Sequence, residues 1–242
     1  MTTPTRIHTA MVLAAGMGSR LRPLTDTMPK PLINVGGKPA ILRTLEMLAA
    51  AGITHVVINT HYLAHMLETA VRAGAPAGMT IHFSYEEELL ETGGGIKKAL
   101  PLLGEDPILV VNSDAVWLDD VKPLLKPLMA AFDGDKHDAL LAVVSKKETK
   151  DFLPLGDFKL DKKTKELGRV PPRDKWDVVY AGVHVTKPGL FMGIAETKFS
   201  LNLVWDDLRA TKRLHGWLYT GGWRETGTHQ GLELARAFVA GR

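Results

Sequence analysis

Short apolar runs alternate with amphipathic segments over the first 120 residues. Most of these runs have the length and composition of strands buried on both faces, and one alternates apolar with polar residues. They predict strands at residues 9–13, 55–59, 79–85 and 107–111. Helical spacing of apolar positions predicts helices at residues 39–51, 63–72 and 95–102, the first ended by Gly52. Strands that alternate with helices indicate right-handed crossovers and a mostly parallel sheet.

The pattern is less regular after residue 120. Predicted strands lie at residues 139–144, 157–160, 166–170, 178–185, 217–219 and around Trp223. The second and third of these are joined by a lysine-rich turn and predict a solvent-exposed hairpin. Predicted helices lie at residues 201–213 and 230–239. Because no linker, repeat or low-complexity segment separates the two parts, we expect one α/β domain over residues 1–242.

The composition argues against several classes of protein. The 242 residues are 45% apolar and 24% charged, which suits one sizeable core. The absence of cysteine excludes disulfides and thiolate metal sites. There is no apolar run of about eighteen residues and no signal-peptide core, so we expect a cytoplasmic protein without a membrane span. The net charge of +3 is small and acids interrupt the lysine clusters, so no nucleic-acid partner is expected.

The most informative segment follows the first predicted strand. Residues 14–19 form a loop of small residues with two glycines, and such a loop presents several backbone N–H groups at one point, which suits bound phosphate. Arg20 and Lys30 add positive charge nearby. Lys30 lies between two prolines, which keep it out of a regular helix or central strand. The alternative interpretation is a tight turn with a solvated arginine and a surface lysine.

Two common phosphate-binding motifs do not match this segment. No Gly-Lys-Ser/Thr follows the glycines, and position 21 is leucine where the dinucleotide fingerprint has its third glycine. Residues 13–32 resemble instead the opening motif of the sugar-1-phosphate nucleotidyltransferases, or pyrophosphorylases, L-A-A-G-x-G-x-R-L-x-P-L-T-x-x-x-P-K-P-L. The resemblance implies an enzyme in which a sugar 1-phosphate attacks the α-phosphorus of a nucleoside triphosphate and pyrophosphate leaves.

The resemblance also implies a Rossmann-like, nucleotide-binding mixed sheet flanked by helices. In it the loop amides would hold the triphosphate, Arg20 would bind the leaving pyrophosphate and Lys30 would offset charge at the α-phosphate. With Asp114 these two side chains form the expected catalytic set. The expected nucleotide-binding residues are Leu13, Ala14, Ala15, Gly16, Met17, Gly18, Ser19, Asn59, Glu91, Thr92, Gly93, Gly94 and Asn112. Residues 1–120 would bind the nucleotide, and residues 121–242 would bind the sugar phosphate and close the site.

Two carboxylates are candidate ligands for Mg²⁺, which prefers hard oxygen atoms that it shares with phosphates. Asp114 follows an apolar strand and matches the metal-binding aspartate of the family, although its side chain could instead cap the next turn. Near the C-terminus the family pattern is close to W-x-D-x-G-T, and this chain has glutamate in place of the aspartate, at position 225. Glu225 would bind Mg²⁺ either directly or through water.

Three glycines at positions 93–95 come ahead of the predicted helix at residues 95–102. Because such a run costs stability, it suggests close approach of the backbone to a ligand, with a helix-capping turn as the alternative. In the enzymes that the chain resembles, this loop lies against base and ribose. The sequence of residues 90–104, with Asn59 and His61, is most similar to bacterial enzymes that use UTP and N-acetylmuramate 1-phosphate.

The sugar side is less clearly marked. Gly182 matches a glycine that backs onto the sugar in the family, and Asp157 and Asn202 have counterparts in the uridylyltransferases. Asn202 could reach the sugar or the metal, but a cap or the edge of the core would suit it equally. The tryptophans at positions 205, 217 and 223 are expected to be packing residues.

Together these features predict Mg²⁺-dependent nucleotidyl transfer from UTP to N-acetylmuramate 1-phosphate, for cell-wall synthesis or recycling. Alternatives within the family are guanylyl transfer to mannose or heptose 1-phosphate, thymidylyl transfer to glucose 1-phosphate, and cytidylyl transfer to phosphocholine. A regulatory subunit that only binds sugar nucleotides is the alternative without catalysis, and the presence of Arg20, Lys30 and Asp114 argues against it. Many relatives carry a C-terminal β-helix domain, which we expect this chain to lack. A monomer or homodimer is expected.

Overall fold

The computed structural model describes residues 7–117, 123–149, 155–169 and 176–241. Its strands are β1 Thr9–Leu13, β2 Asn34–Val35, β3 Lys38–Pro39, β4 His55–Thr60, β5 Thr80–Tyr85, β6 Ile108–Asn112, β7 Ala115–Trp117, β8 Ala139–Ser145, β9 Lys159–Leu160, β10 Leu167–Gly168, β11 Val178–Thr186, β12 Leu214–Leu218 and β13 Trp223–Glu225. Its α-helices are α1 Ala40–Ala51, α2 Ala64–Gly74, α3 Glu91–Leu103, α4 Leu125–Ala131, α5 Lys146–Thr149, α6 Leu201–Ala210 and α7 His229–Ala240. None of the described helices is long and apolar enough to cross a membrane.

Seven of the described strands form a central sheet in the order β12-β8-β11-β6-β1-β4-β5. The strands β6, β1, β4 and β5 are parallel, as the alternation of apolar runs and helices predicts. β12 is parallel to β8, and β11 is antiparallel to both of its neighbours, β6 and β8. The expected mixed sheet flanked by helices is therefore confirmed.

Apolar side chains cover the sheet on both faces. In β1, Ala10 and Val12 belong to one cluster, which also contains Leu45 of α1. Met11 points to the opposite face and belongs to a second cluster, with Ile96 of α3. This alternation follows the two-residue period of a strand, so the continuous apolar run of β1 is explained by burial on both faces.

A third, smaller cluster lies outside the sheet. It joins Leu232 of α7 to Leu21 and Ile33, which flank the segment rich in proline after β1, and to Val116 of β7. α7 is thus packed against the segment after β1 that contains Leu21 and Ile33. β13, the strand just before α7, pairs with β7, the strand that follows β6 in the chain.

Most predicted elements agree with the structure to within a few residues, and two do not. α3 begins at Glu91, earlier than predicted, so the three glycines lie inside its first turns and not ahead of it. α6 ends at Ala210, and the residues predicted to extend it lead into β12. The predicted exposed hairpin is formed by β9 and β10, although its predicted last residue, Val170, lies outside the described residues. β7 and α4 are elements that the apolar pattern did not predict.

Candidate active site

The carboxyl ends of β1, β4 and β6 meet at one edge of the sheet, the usual position of ligand sites in sheets of this kind. A cavity of about 360 Å³ opens there, which we call the first cavity. It is lined by Leu13, Ala14, Ala15, Gly16, Lys30, Pro31, Asn59, Leu89, Glu91, Thr92, Asn112, Ser113, Asp114 and Ser200. Most residues expected to bind the nucleotide are therefore in one place, together with Lys30 and Asp114.

The rest of the loop after β1 supports Lys30 and does not line the first cavity. Gly18 has a φ of 64°. A Cβ at this position would lie 2.9 Å from Cβ of Lys30 and 2.9 Å from Cγ2 of Thr25. The Thr25 hydroxyl also donates to the Gly18 carbonyl at 2.9 Å. A glycine is thus needed both for the left-handed turn and for the close approach to Lys30. Met17 and Ser19 are exposed.

A buried pair of polar side chains, Asn59 and Glu86, supports the floor of the first cavity. Asn59 Oδ1 accepts the Ala14 N–H at 2.7 Å, and Asn59 Nδ2 donates to Glu86 Oε1 at 2.7 Å. The other Glu86 oxygen accepts the Leu90 N–H at 2.9 Å. Glu86 is fully buried. The pair therefore ties the loop after β1 to the start of α3 through a continuous set of hydrogen bonds.

Sequence reasoning missed Glu86, although one signal could have found it. Glu86 follows directly after β5, at the same edge of the sheet as the loop after β1 and Asn59 at the end of β4. A carboxylate at the end of a parallel strand in this sheet is a candidate for the site by its position alone. The alternating pattern of β5 gave no reason to look beyond the strand itself.

The glycines at the start of α3 allow close packing within the protein. The N–H groups of Gly93 and Gly94 donate to the Phe199 carbonyl at 2.9 and 3.0 Å. A Cβ at Gly95 would lie 2.7 Å from both Asn59 Nδ2 and Glu86 Oε1. All three glycines are buried, so the close approach predicted for this run is made to protein atoms. Gly93 and Gly94 are not among the residues that line the first cavity.

Glu91 lies at the wall of the first cavity with an unusual backbone conformation. Its φ is 64°, a left-handed value that costs energy in a residue other than glycine. Thr92, next in the chain, also lines the cavity, and its hydroxyl accepts the Leu201 N–H at 2.9 Å. The start of α3 is thus fixed against α6 while the Glu91 side chain stays exposed at the cavity.

A second cavity, of about 460 Å³, shares Asn112 and Asp114 with the first. It is lined by Arg20, Asn112, Asp114, Ala115, Leu155, Asp157, Val179, Tyr180, Gly182, Trp223 and Glu225. The expected catalytic side chains Arg20 and Asp114 therefore meet the expected second metal ligand and two of the expected sugar-binding residues in one cavity.

Lys30 and Arg20 concentrate positive charge where the first two cavities meet. Lys30 Nζ forms an ion pair with Asp114 Oδ2, and the Lys30 side chain is 14% exposed. The Arg20 guanidinium lies close to the same point. A Cβ at Gly227 would be 3.1 Å from Arg20 Nη2 and 3.6 Å from Lys30 Nζ. These two side chains have the charge and the N–H donors that binding of phosphate oxygens requires.

Asp114 and Glu225 are held side by side by main-chain contacts. Both the N–H and the hydroxyl of Thr226 donate to the Asp114 carbonyl, at 2.7 and 2.9 Å. Glu225 of β13 pairs with Ala115 of β7. Burial, together with the Asp114 carboxylate, raises the pKa of Glu225 above its ordinary value, while Arg20 and Lys30 oppose this rise. The Asp114 carboxylate thus disfavours the charged form of Glu225, an arrangement that a divalent cation would relieve.

This pair of oxygen donors fits the way in which Mg²⁺ is bound in proteins that handle phosphates. One or two carboxylates usually hold the ion, and waters and substrate phosphates complete the octahedron. Within the residues that the structure describes, no group of three or more histidine, cysteine, aspartate or glutamate side chains is arranged to hold a metal by itself. A site that depends on substrate phosphates is therefore the arrangement that the described donors allow.

Gly182 shapes the wall of the second cavity. It has a φ of 80°, and the register between β11 and β8 shifts between Tyr180 and His184, which marks a β-bulge. A Cβ at Gly182 would lie 3.1 Å from the Cβ of Ala115. The Tyr180 hydroxyl lies 2.7 Å from Nδ1 of the buried His184. The bulge thus brings backbone close to β7 while Tyr180 is fixed by a contact inside the core.

A third cavity, of about 410 Å³, shares Asp157 and Tyr180 with the second. It is lined by Asp157, Phe158, Arg169, Trp176, Tyr180, Asn202 and Trp205. Asn202 lines this cavity and neither of the two that contain Asp114. Trp205 is 6% exposed and packs edge-on against Tyr180, with ring centroids 5.0 Å apart. Its expected packing role is confirmed, and it forms a cavity wall as well.

Comparison with known proteins agrees with this geometry. The model of the nucleotidyl transferase family matches residues 9–241. The chain belongs to this family. It is similar to N-acetylmuramate alpha-1-phosphate uridylyltransferases of Caulobacter vibrioides, 37% identical over 238 residues and covering 96% of each chain, and of Neisseria meningitidis serogroup B, 38% identical over 232 residues and covering 95% of this chain and 97% of that one.

The fold is also found in proteins with solved structures. The UDP-glucose pyrophosphorylase from Acinetobacter baumanii is 17% identical to this chain and superimposes with a TM-score of 0.81, covering 96% of this chain and 93% of that one. At this identity the similarity concerns the fold alone. The expected class of enzyme, a nucleotidyltransferase, is confirmed by the family match and the two uridylyltransferases.

Proposed function

We propose that this enzyme transfers the uridylyl group of UTP to N-acetylmuramate 1-phosphate and releases pyrophosphate, to supply a sugar nucleotide for cell-wall synthesis or recycling. The observation that carries the proposal is the similarity to two enzymes of this specificity over nearly the full length of all three chains. In this assignment the nucleoside triphosphate occupies the first cavity, and the sugar phosphate enters through the second. Asp114, which lines both, lies where the reacting phosphates would meet.

The reaction requires two anions to approach each other. A phosphate oxygen of the sugar phosphate forms a bond to the α-phosphorus, and the bond between that phosphorus and the bridging oxygen to the β-phosphorus breaks. Ala15 and Gly16 lie in the loop after β1 and line the first cavity. Their backbone N–H groups would bind the triphosphate. Lys30 and Arg20 would offset the negative charge of the reacting and leaving phosphates.

Mg²⁺ is assigned to Asp114, with Glu225 as a second ligand either directly or through water. When bound, the ion would neutralise charge on the phosphate oxygens. The support for this assignment is the raised pKa of Glu225, which reflects a buried carboxylate facing Asp114. In the absence of a cation, the ion pair with Lys30 offsets the negative charge of Asp114 itself.

The wall formed by Leu89, Glu91 and Thr92 is assigned to the base. Its position is fixed by the Asn59–Glu86 pair on one side and by the Phe199 carbonyl on the other. A rigid wall discriminates by size and by hydrogen bonding, because a base that does not fit leaves buried polar groups unpaired. We expect a pyrimidine, uracil, to be preferred.

A pyrophosphate-release assay tests the proposal. The purified enzyme is supplied with each of four nucleoside triphosphates and with a panel of sugar 1-phosphates, with and without Mg²⁺. The expected result is fastest turnover with UTP and N-acetylmuramate 1-phosphate, and loss of turnover after chelation. Faster turnover with GTP than with UTP for every sugar phosphate would refute the uridylyl assignment. Absence of turnover with every pair would favour a protein that only binds sugar nucleotides.

A further inference from the structure

The third cavity is the far end of a continuous row. The first and second cavities share Asn112 and Asp114, and the second and third share Asp157 and Tyr180. A sugar phosphate whose phosphate lies near Asp114 would have its ring in the second cavity. Ring substituents that point away from the phosphate would then reach the third cavity.

Contacts with Phe158, Asn202 and Asp206 help to fix Arg169 in this cavity. Its guanidinium lies over the ring of Phe158, 4.4 Å from the centroid. Nη2 donates to Asn202 Oδ1 at 2.6 Å, and Nη1 lies 3.5 Å from Asp206 Oδ1. The side chain is 19% exposed. A guanidinium has five N–H donors in one plane, so an arginine with a fixed plane presents a cation of defined direction.

The surroundings of Arg169 favour an anionic ligand group. Among the described residues that line the third cavity, Arg169 is the one cation, and four of its neighbours there are aromatic. Aromatic walls exclude water and strengthen charge interactions. Asp157 is the carboxylate among these described lining residues. It accepts the Tyr180 N–H at 3.0 Å, on the wall that the third cavity shares with the second. The negative charge of Asp157 is therefore on the ring side, and the positive charge is at the far end.

We propose that Arg169 determines sugar specificity by binding the carboxylate of the lactyl ether of N-acetylmuramate. This proposal rests on the proposed function. The lactyl ether distinguishes N-acetylmuramate from N-acetylglucosamine, and it is the one group of the sugar that carries a carboxylate. Arginine binds carboxylates through two parallel N–H···O bonds, and such charge-assisted bonds are stronger than neutral ones. Arg169 touches no reacting atom in this arrangement and acts on binding.

The test compares two substrates and three enzymes. The substrates are N-acetylmuramate 1-phosphate and its lactyl amide, which has the same shape without the charge. For the wild type we expect kcat/KM to be about 30-fold lower with the amide, with the difference mainly in KM. Arg169→Gln should lose most of this preference, with less than about threefold between the two substrates, because the neutral side chain no longer favours the charged form. Arg169→Lys should keep part of the preference for the acid, because lysine retains the positive charge but lacks the paired N–H donors of a guanidinium.

Arg209→Gln is the matched control, because Arg209 also pairs with Asp206, at 2.8 Å, but does not line the cavity. It should leave the preference for the acid unchanged. Equal losses on both substrates in Arg169→Gln and Arg169→Lys would show a merely structural role, and an unchanged preference in both variants would place the carboxylate elsewhere. Either result overturns the proposal while leaving wild-type uridylyl transfer intact. If the wild type does not use N-acetylmuramate 1-phosphate, the proposed function itself fails.

Discussion

The first and third cavities lie at opposite ends of the same row, and the protein builds them differently. The first is made from the carboxyl ends of parallel strands, with backbone at residues 14–16 and the buried Asn59–Glu86 pair behind it. The third is made from side chains of separate segments, which meet around Arg169. Backbone N–H groups at strand ends are suited to bind phosphate, which the proposed substrates share with those of the family. Side chains at the other end can change without changing the sheet, so they are suited to select the sugar.

Asp114 belongs to both of the first two cavities, and its loss should have the largest effect. We expect Asp114→Asn to lower kcat at least about 100-fold, because it removes both the partner of Lys30 and the charge that would hold Mg²⁺. The fold should persist, since the Thr226 contacts are made to the Asp114 main-chain carbonyl. Steady-state kinetics with circular dichroism measures both.

The control for Asp114 is Asp133→Asn, which removes an exposed carboxylate paired with Lys136. It should leave kcat within about twofold, since exposed pairs contribute little. Activity of Asp114→Asn within tenfold of the wild type would place the reacting phosphates elsewhere, and the first and second cavities would then have no shared catalytic residue.

Lys30 tests whether charge at the junction of the two cavities acts on chemistry or on binding. Lys30→Ala should lower kcat/KM by about 2–4 kcal/mol, mainly through kcat, because a lysine at the α-phosphate binds most strongly in the transition state. Arg20→Ala should cost a similar amount. The control is Lys38→Ala, a surface lysine paired with Glu46, which should be nearly silent. A change confined to KM in Lys30→Ala would assign Lys30 to a peripheral phosphate.

The two ends of the row also differ in how far the sequence predicts them. The strands that carry Leu13, Asn59 and Asn112 at or near their carboxyl ends come from local apolar runs. The family motif adds the loop after the first of them, so most of the first cavity could be predicted. Glu86 was missed because its partners, Asn59 and the Leu90 N–H, are set by the register of the sheet and the start of α3. Both depend on tertiary structure and leave no periodic signal.

Arg169 could not have been predicted from its surroundings in the chain. It follows the short hairpin of β9 and β10, where a solvated arginine is the ordinary expectation. Its fixed position depends on Phe158, just before β9, and on Asn202 in α6, and both contacts are set by tertiary folding. Gly93 and Gly94 show the same limit, since the Phe199 carbonyl to which they donate belongs to a segment far along the chain.

Gly95 provides a test of the support behind the first cavity. A Cβ in Gly95→Ala would meet Asn59 Nδ2 and Glu86 Oε1 at 2.7 Å, so the pair must shift and the bond to the Ala14 N–H must lengthen. We expect KM for UTP to rise about 5- to 10-fold, with KM for the sugar phosphate changed less than twofold. Separate titrations of the two substrates measure this difference.

Gly189→Ala is the control for Gly95→Ala. Gly189 also lies in a helical turn, Pro188–Phe191, and a Cβ there would meet no atom within 4 Å. It should leave both KM values unchanged. If Gly95→Ala raised both KM values equally, the Asn59–Glu86 pair would support the whole site and the distinction between the two ends would be lost.

Glu225 should show the smallest effect on turnover and a measurable effect on stability. Its pKa is raised in the folded protein, so the folded state binds a proton more tightly than the unfolded state. Stability therefore falls as pH rises from the ordinary pKa of glutamate through the raised pKa of Glu225. At pH 7.5 without Mg²⁺, the ionised side chain therefore costs stability. Glu225→Gln should raise Tm by about 1–3 °C there, and the gain should vanish at pH below the ordinary pKa of glutamate.

With Mg²⁺ the wild type should become more stable than Glu225→Gln, because an ion that binds the folded state stabilises it. The ion should raise Tm of the wild type more than Tm of Glu225→Gln, and the variant should need about 3- to 10-fold more Mg²⁺ for half-maximal turnover, since an amide is a poorer ligand than a carboxylate. Glu225→Asp should retain much of the activity, and Glu233→Gln on the exposed face of α7 should match the wild type.

An unchanged Mg²⁺ titration in Glu225→Gln would leave Asp114, phosphates and water as the ligands. Asn202 lines the third cavity beside Arg169 and does not line the second, so Asp114 would then be the carboxylate to which the metal is assigned.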